Sequence, residues 1–200
     1  MEEAILKAFK ESSEVKERFL KENLSKLITA IKLIVEAFEK GNKLFFFGNG
    51  GSAADAQHLA AEFVNRYLME RPPLPAIALT TDTSILTSVS NDVAFNEIFS
   101  KQLRALGREG DIAIGLSTSG NSPNVIKAIE TAKEMGMKTV ALTGRDGGKL
   151  NKKADISLLV PSSSTPRIQE AHILIGHMLC EMVETRLFLK SGQDRKGSTS

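Results

Sequence analysis

A few side chains have types and spacings suited to metal binding or proton transfer. His58 and Glu62 lie four residues apart in a helical segment, which places them about one turn apart on one face. His172 and His177 follow in a C-terminal helical segment that also contains Gln169. Zinc accepts imidazole nitrogen and carboxylate oxygen, and an amide oxygen is a weaker ligand. The spacing allows a metal site, although a solvated His–Glu pair on a helix surface would look the same.

Two loops could bind a phosphate group. The glycine loop (residues 48–52) reads Gly48-Asn49-Gly50-Gly51-Ser52, and it separates an apolar run from a helical segment. Glycines let the backbone approach a ligand closely, and the N-terminus of the following helix favours an anion. A tight strand-to-helix turn that binds nothing would also explain these glycines.

The serine loop (residues 117–122) reads Ser117-Thr118-Ser119-Gly120-Asn121-Ser122, and Pro123 then suits the first turn of a helix. Capping that helix requires only one hydroxyl or amide side chain, so the additional hydroxyls favour a bound phosphate. Neither loop has the lysine of a Walker loop or the three-glycine dinucleotide fingerprint. A sugar phosphate therefore fits the sequence better than a nucleotide.

Short apolar runs predict the element that positions both loops. The runs are 44–47, 76–79, 112–116, 139–142 and 156–160, each separated from the next by a plausible helix. Runs that are apolar throughout suit strands covered on both faces. We expect a doubly wound α/β fold with a five-stranded parallel sheet, in which ligands bind beyond the carboxyl ends of the strands.

Helices are predicted at both ends of this sheet. Apolar residues at three- and four-residue spacing indicate one helix from Asn23 to Lys40, with a weaker helix before it. A broad apolar stripe predicts a long closing helix at about 167–189. We expect one domain over residues 1–190, followed by a flexible tail at 191–200 that has no apolar residue.

Composition narrows the possible functions. The 26 Lys and Arg residues nearly balance the 24 Asp and Glu residues, so the basic excess typical of nucleic-acid binding is missing. No segment approaches the ~18–20 consecutive apolar residues that span a bilayer. The single cysteine permits no internal disulfide. We expect a cytoplasmic protein that binds neither nucleic acid nor a membrane.

The motifs together resemble the sugar isomerase (SIS) family. The serine loop after a central strand is typical of that family, and the order of five motifs is similar to that of the phosphoheptose isomerases. These motifs are the glycine loop, Asn91-Asp92, the serine loop, Leu142-Thr143-Gly144 and Arg167-Ile168-Gln169-Glu170. The similarity covers nearly the whole chain, including the N-terminal helices.

This resemblance implies an aldose–ketose isomerase that converts sedoheptulose 7-phosphate into D-glycero-D-manno-heptose 7-phosphate through an enediol. Such a product leads toward ADP-heptose and lipopolysaccharide-type glycans. The resemblance also implies a homotetramer with one zinc ion per subunit, bound by His58, Glu62, Gln169 and His177. Glu62 and His177 are the candidate catalytic pair. The candidate substrate-binding residues are Asn49, Gly50, Gly51, Ser52, Glu62, Asn91, Asp92, Ser117, Thr118, Ser119, Ser122 and Gln169.

The separation of Gln169 from His177 is large for two ligands of one zinc ion. Gln169 and His177 lie eight residues apart, and a continuous helix separates such residues by roughly 12 Å along its axis. Either the helix begins irregularly near Gln169, or the ligands come from two subunits. His172 matches no family ligand, so we expect it to pack or to form a hydrogen bond at an interface. Arg66 could pair with Glu62 or substrate, or form a plain surface salt bridge.

The main alternative is a binding protein of the same fold. Residues 71–79 and 101–107 also resemble DiaA, a non-catalytic SIS-family tetramer that binds the replication initiator DnaA. DiaA-like chains lack the glutamate and histidine that correspond to Glu62 and His177, whereas this chain has both. The isomerase is therefore the favoured interpretation.

Overall fold

Five short apolar strands pair as one sheet in the computed structural model, which describes residues 1–189. The strands are β1 (Leu44–Gly48), β2 (Ala76–Ala78), β3 (Ile112–Ser117), β4 (Lys138–Gly144) and β5 (Ile156–Val160). All neighbouring pairs are parallel, and the spatial order is β2-β1-β3-β4-β5. The predicted five-stranded parallel sheet is confirmed.

Helices cover both faces of the sheet. They are α1 (Glu2–Glu39), α2 (Gly51–Val64), α3 (Thr83–Asp92), α4 (Ser100–Leu106), α5 (Pro123–Glu134), α6 (Leu150–Lys153) and α7 (Thr165–Glu184), with a 3-10 turn at Phe95–Glu97 and a π-helical turn at Thr185–Leu189. Within the described residues, no helix is both long enough and apolar enough to cross a membrane.

The strands are apolar throughout because each strand face meets a separate core. Phe46 packs in the cluster formed with α1, α2 and α7, whereas Phe45 and Phe47 pack in the cluster formed with α4 and α5. Successive side chains of a strand point to opposite faces, so a strand between two helical layers has no polar face. This is the physical basis of the runs seen in the sequence.

The prediction of two N-terminal helices is wrong, because α1 is one continuous helix of 38 residues. Asn23, the predicted start of the second helix, lies buried inside it. Its Nδ2 donates to the carbonyl oxygens of Phe19 at 3.2 Å and Leu159 at 3.1 Å. No glycine or proline occurs before Gly41, so nothing breaks the helix, and Asn23 connects it to β5 instead of capping it.

The closing helix is confirmed with slightly different bounds. It begins at Thr165 and runs regularly to Glu184, where the π-helical turn follows. Cys180 is a buried free cysteine on this helix. The single domain over residues 1–190 stays a prediction, and the predicted tail at 191–200 lies outside the described residues.

The strand order brings the two candidate loops together. In this order the winding reverses between β1 and β3, which is the point where such sheets bind ligands. Gly48 pairs with Leu116 in the register of these two strands, so the glycine loop and the serine loop leave the sheet at the same level. The topology thus provides one cleft between them.

Candidate active site

The glycine loop turns directly from β1 into α2. Gly50 has φ of +56° and precedes the first residue of α2, a conformation that favours glycine. A Cβ on Gly48 would approach the Leu116 carbonyl oxygen to 2.9 Å, so the close contact with β3 also requires glycine. Ser52 is buried in the first turn of α2. Of this loop, Gly48, Asn49 and Gly50 line the cleft.

A pair of amide side chains connects the glycine loop to α5. Asn49 Nδ2 donates to Asn124 Oδ1 at 2.9 Å, and Asn124 Nδ2 donates to Asn49 Oδ1 at 2.8 Å. Asn124 is buried, and its Oδ1 also accepts from the Val125 amide. Sequence reasoning missed Asn124, although an asparagine after Pro123 at a helix start was a visible signal.

The serine loop concentrates hydroxyls at the N-terminus of α5. Ser117 Oγ lies 2.9 Å from Ser122 Oγ and 3.5 Å from Ser119 Oγ. Ser122 precedes α5, but its hydroxyl makes no capping bond to the helix. The cluster is therefore free to contact an anion, and a helix N-terminus favours one there. Thr118 belongs to the same loop and is partly exposed.

A third loop, residues 145–149, packs against the serine loop. Lys149 donates its backbone N–H to Asn121 Oδ1 at 3.1 Å, and Leu150 donates to the Gly120 carbonyl at 3.0 Å. Gly120 itself packs directly on the backbone of Gly147. This contact between two glycines fixes the serine loop, and sequence reasoning did not identify it.

A cavity of about 540 Å³ opens beside the glycine loop. Its polar lining includes Asn49, Gly50 and Asn91, and its apolar wall includes Leu86 and Phe99. Asn91 Nδ2 donates to Asp92 Oδ1 at 2.8 Å, and Asp92 is exposed at the end of α3. The structure thus brings Asn49, Gly50 and Asn91 together at this cavity, and Asp92 is hydrogen-bonded to Asn91.

His58, Glu62 and His177 lie together where α2 and α7 meet. His58 Nε2 is 3.0 Å from His177 Nε2 and 3.4 Å from Glu62 Oε1. Tetrahedral zinc ligands at their usual bond lengths lie about 3.3 Å from one another, so both separations fit shared coordination. The contacts are pairwise through His58, and within residues 1–189 no group of three or more His, Cys, Asp or Glu side chains is placed so that it could hold a metal ion.

The fourth predicted zinc ligand lies elsewhere on α7. The Gln169 amide covers Gly51, where a Cβ would collide with it. Because α7 is regular from Thr165, Gln169 and His177 are separated by roughly 12 Å along the axis. The alternative of an irregular helix start is therefore wrong. Within one chain, Gln169 lies at the glycine loop, next to the candidate substrate contacts.

Two further groups beside His58 and His177 were missed from the sequence. Asp55 lies one turn before His58, and one of its carboxylate oxygens is buried without a hydrogen-bond partner. Burial raises the pKa of Asp55, and the nearby His58 opposes this rise. The Tyr67 ring lies 5.5 Å from the His177 ring. The spacing of Asp55 and His58 was a usable signal, whereas nothing local indicated Tyr67.

His172 and Arg66 lie outside the group. His172 is fully buried, and its Nε2 donates to the Thr143 carbonyl at 3.1 Å. Burial lowers the pKa of His172 to about 4, so the ring is neutral. Arg66 pairs with Glu70 at 2.6 Å, which is the surface salt bridge of the plainer interpretation.

A parallel sheet with a glycine loop and a serine loop at its switch point defines a sugar isomerase domain, and residues 9–144 match the SIS domain family. The phosphoheptose isomerase of Thermodesulfovibrio yellowstonii is 55% identical over 188 residues, which cover 94% of each chain. That of Aquifex aeolicus is 53% identical over 92% of this chain and 96% of its own. The chain belongs to the phosphoheptose isomerase family of SIS-domain proteins.

Solved structures agree with this assignment. The structure of phosphoheptose isomerase GmhA from Neisseria gonorrhoeae superposes with a TM-score of 0.87 at 45% identity, covering 92% of this chain and 98% of that one. A phosphoheptose isomerase from Francisella tularensis gives a TM-score of 0.88 at 41% identity over 92% and 97% of the two chains. The fold and the family predicted from the sequence are confirmed.

Proposed function

We propose that the protein interconverts sedoheptulose 7-phosphate and D-glycero-D-manno-heptose 7-phosphate, as an aldose–ketose isomerase. The observation that carries the proposal is the contact of His58 with both Glu62 and His177 between α2 and α7, in a chain of the phosphoheptose isomerase family. The product would serve the synthesis of ADP-heptose and lipopolysaccharide-type glycans.

The reaction moves one proton between adjacent carbons and one between their oxygens. Glu62 removes a proton from C1 of the ketose, which forms the enediol, and returns a proton to C2. His177 carries the proton that leaves the C1 hydroxyl and protonates the oxygen on C2. General acid–base catalysis needs both groups within reach of the substrate, and α2 and α7 present them from adjacent helices.

Zinc fits the donors present, since two imidazole nitrogens and a carboxylate oxygen are ligands that it prefers. We assign it to His58, Glu62 and His177, one ion per subunit. Because coordination lowers the basicity of a carboxylate, Glu62 would act as the base only after a shift of coordination on substrate binding. When bound, zinc would polarise the oxygens of the reacting carbons. The predicted ligand Gln169 would join this set only from a neighbouring subunit, because α7 holds it away from its own His177.

The two loops would hold the remainder of the substrate. Hydroxyls of Ser117, Thr118, Ser119 and Ser122 and the α5 N-terminus suit the phosphate. The sugar chain would then lie along the glycine loop, toward Asn91 and Asp92. The residues assigned to it are Asn49, Gly50, Gly51, Ser52, Asn91, Asp92 and Gln169.

We also propose a homotetramer in the cytoplasm. Exposed apolar residues on α1 and α7, including Leu24 and Met182, line a shared groove. A second copy of this chain would cover such a surface. The reducing cytoplasm suits a chain whose single cysteine is unpaired.

The proposal is tested by incubating the zinc-loaded protein with sedoheptulose 7-phosphate, with and without a chelator. We expect the aldose phosphate to form, and chelation to reduce the rate. The DiaA-like alternative, which the presence of Glu62 and His177 disfavours, would instead give no product with zinc present and a measurable affinity for DnaA.

A further inference from the structure

A buried ion pair joins the two helices that carry Glu62 and His177. The side chains of Arg71 and Glu184 are each 2% exposed, and Arg71 Nε lies 3.5 Å from Glu184 Oε1. Burial of two charges costs free energy that their mutual attraction often does not recover. The other hydrogen bonds of Arg71 and Glu184 therefore indicate which segments this ion pair positions.

The Arg71 guanidinium closes the C-terminus of α2. Its Nη2 donates to the Glu62 carbonyl at 2.8 Å, and its Nη1 donates to the Phe63 carbonyl at 2.7 Å. The last carbonyls of a helix have no partner within the helix, and a cation is favoured beside them. Arg71 thus fixes the backbone of the residue that carries the candidate base.

The Glu184 carboxylate fixes the segment that follows α2. Its oxygens accept the backbone N–H groups of Leu68 at 3.0 Å and Met69 at 2.9 Å. These amides directly follow Tyr67, whose ring lies 5.5 Å from that of His177 with 35° between the planes. Glu184 itself lies on α7, seven residues after His177, so one carboxylate connects the Tyr67 segment to the helix of His177.

We infer that Arg71 and Glu184 are positioning residues, which set the separation of Glu62 from His177 and hold Tyr67 against the His177 ring. The consequence for turnover rests on the proposed function, whereas the arrangement of side chains does not. The serine loop lies after β3 and has no part in these contacts. Disturbing the pair should therefore affect the chemical step and zinc affinity more than the capture of the phosphate.

A second buried carboxylate supplies a matched control. Asp111 accepts the backbone N–H groups of Lys43 at 3.0 Å and Arg108 at 2.8 Å, and it pairs with Lys43 Nζ at 2.7 Å. It directly precedes β3, at the end of the sheet opposite the cleft. Asp111→Asn therefore removes a similar ion pair without touching the site.

The test compares Arg71→Lys, Glu184→Gln and Asp111→Asn in the full chain. Loss of groups that orient metal ligands typically costs about 10–100-fold in metal affinity or activity. We expect losses of that size in kcat and in zinc affinity, measured by competition with a chromophoric chelator, for the first two variants. Their KM should stay within about threefold of wild type, as for a loss confined to the transition state. Asp111→Asn should lower only the melting temperature.

An NMR measurement makes the result independent of turnover. The chain has three histidines, so its NMR spectrum contains few imidazole signals. Tyr67→Ala gives the chemical shift of the His177 ring in the absence of the Tyr67 ring. Arg71→Lys and Glu184→Gln should move the His177 signal toward that value. The inference is overturned if both variants match Asp111→Asn in kcat, zinc affinity and the His177 signal.

The positioning role can still be tested if Glu184→Gln does not fold or if the wild type does not act on the proposed substrate. If Glu184→Gln does not fold, Arg71→Lys decides, because it keeps the buried charge but cannot reach both α2 carbonyls and Glu184. If wild type does not convert sedoheptulose 7-phosphate, the proposed function fails, and the His177 signal alone supports or overturns the positioning role.

Discussion

Glu62 is the candidate base of the proposed reaction, and its replacement by Gln tests that role. Glu62→Gln keeps the size of a side chain that is only 22% exposed, so the variant should fold normally. It removes the group that accepts a proton from carbon, and loss of general base catalysis typically costs about 10²–10⁴-fold in kcat. Steady-state kinetics and circular dichroism would measure the two properties.

Glu70→Gln is the matched control for this variant. Glu70 lies just beyond α2, and its side chain is exposed, with Arg66 as its ion-pair partner. Its replacement should leave kcat unchanged. Near-normal turnover of Glu62→Gln would contradict the assignment of the base.

His172 makes the stability of the fold depend on pH. The unfolded chain binds a proton on this ring with a pKa near 6.5, whereas burial lowers the folded pKa to about 4. Stability is therefore complete above pH 6.5 and decreases as the pH falls toward 4. The shift predicts a loss of about 2 kcal/mol between pH 7 and pH 5 from this residue.

The His172 contribution can be isolated with His172→Gln. The glutamine amide can still donate to the Thr143 carbonyl, the acceptor of the present hydrogen bond, but it does not titrate. Urea unfolding at pH 7 and pH 5 should show a smaller loss of stability for the variant than for wild type. Equal losses in the two proteins would contradict a buried neutral histidine.

Local spacing predicted only part of the site. His58 and Glu62 follow from a helical period, because residues four apart share a helix face. The contact of His58 with His177 spans 119 positions, and only the resemblance to a family indicated it. Tyr67 and Arg71 act through contacts made by the packed fold, so no local pattern marked them.

At the level of elements, the serine loop depends on the contact between Gly120 and Gly147. A Cβ on Gly120 would overlap the Gly147 carbonyl oxygen, and Gly120 also has φ of +64°. Gly120→Ala should displace the loop and raise KM for the sugar phosphate by about tenfold, corresponding to about 1.4 kcal/mol of lost binding. Steady-state kinetics with varied substrate concentration would measure this change.

Gly41→Ala is the control that distinguishes the effect of the Gly120–Gly147 contact from the effect of strain in a left-handed backbone. Gly41 has φ of +76°, but a Cβ there would have open space around it. Both variants should lose stability through the left-handed conformation, at a cost of about 1–3 kcal/mol, while only Gly120→Ala should raise KM. An unchanged KM in Gly120→Ala would show that this contact does not shape the phosphate site.

The elements differ in how well the sequence predicted them. The strands were recognisable because a strand between two helical layers is apolar on both faces. The long helix α1 was divided wrongly at Asn23, because the apolar periodicity is weaker before that residue than after it. Its hydrogen bond to Leu159 in β5 is a tertiary contact that sequence periodicity does not show.

For the whole molecule, we expect the α1–α7 groove to lie between subunits. Leu24 is 51% exposed in the middle of this groove, and Leu24→Glu would place a charge there. Burying an unpaired charge costs several kcal/mol, so the variant should have a smaller mass by light scattering. Leu106→Glu, at a residue of α4 that is 44% exposed, is the control and should leave the mass unchanged. Equal masses for wild type and Leu24→Glu would contradict this interface.

The most direct test of the proposed isomerase activity is an approach to equilibrium from both sides. Wild-type protein with zinc is incubated either with sedoheptulose 7-phosphate or with D-glycero-D-manno-heptose 7-phosphate, and both sugars are followed by NMR. We expect the two reactions to converge on the same ratio of ketose to aldose. If neither sugar changes in the presence of zinc, the protein is not the isomerase that its cleft and its family indicate.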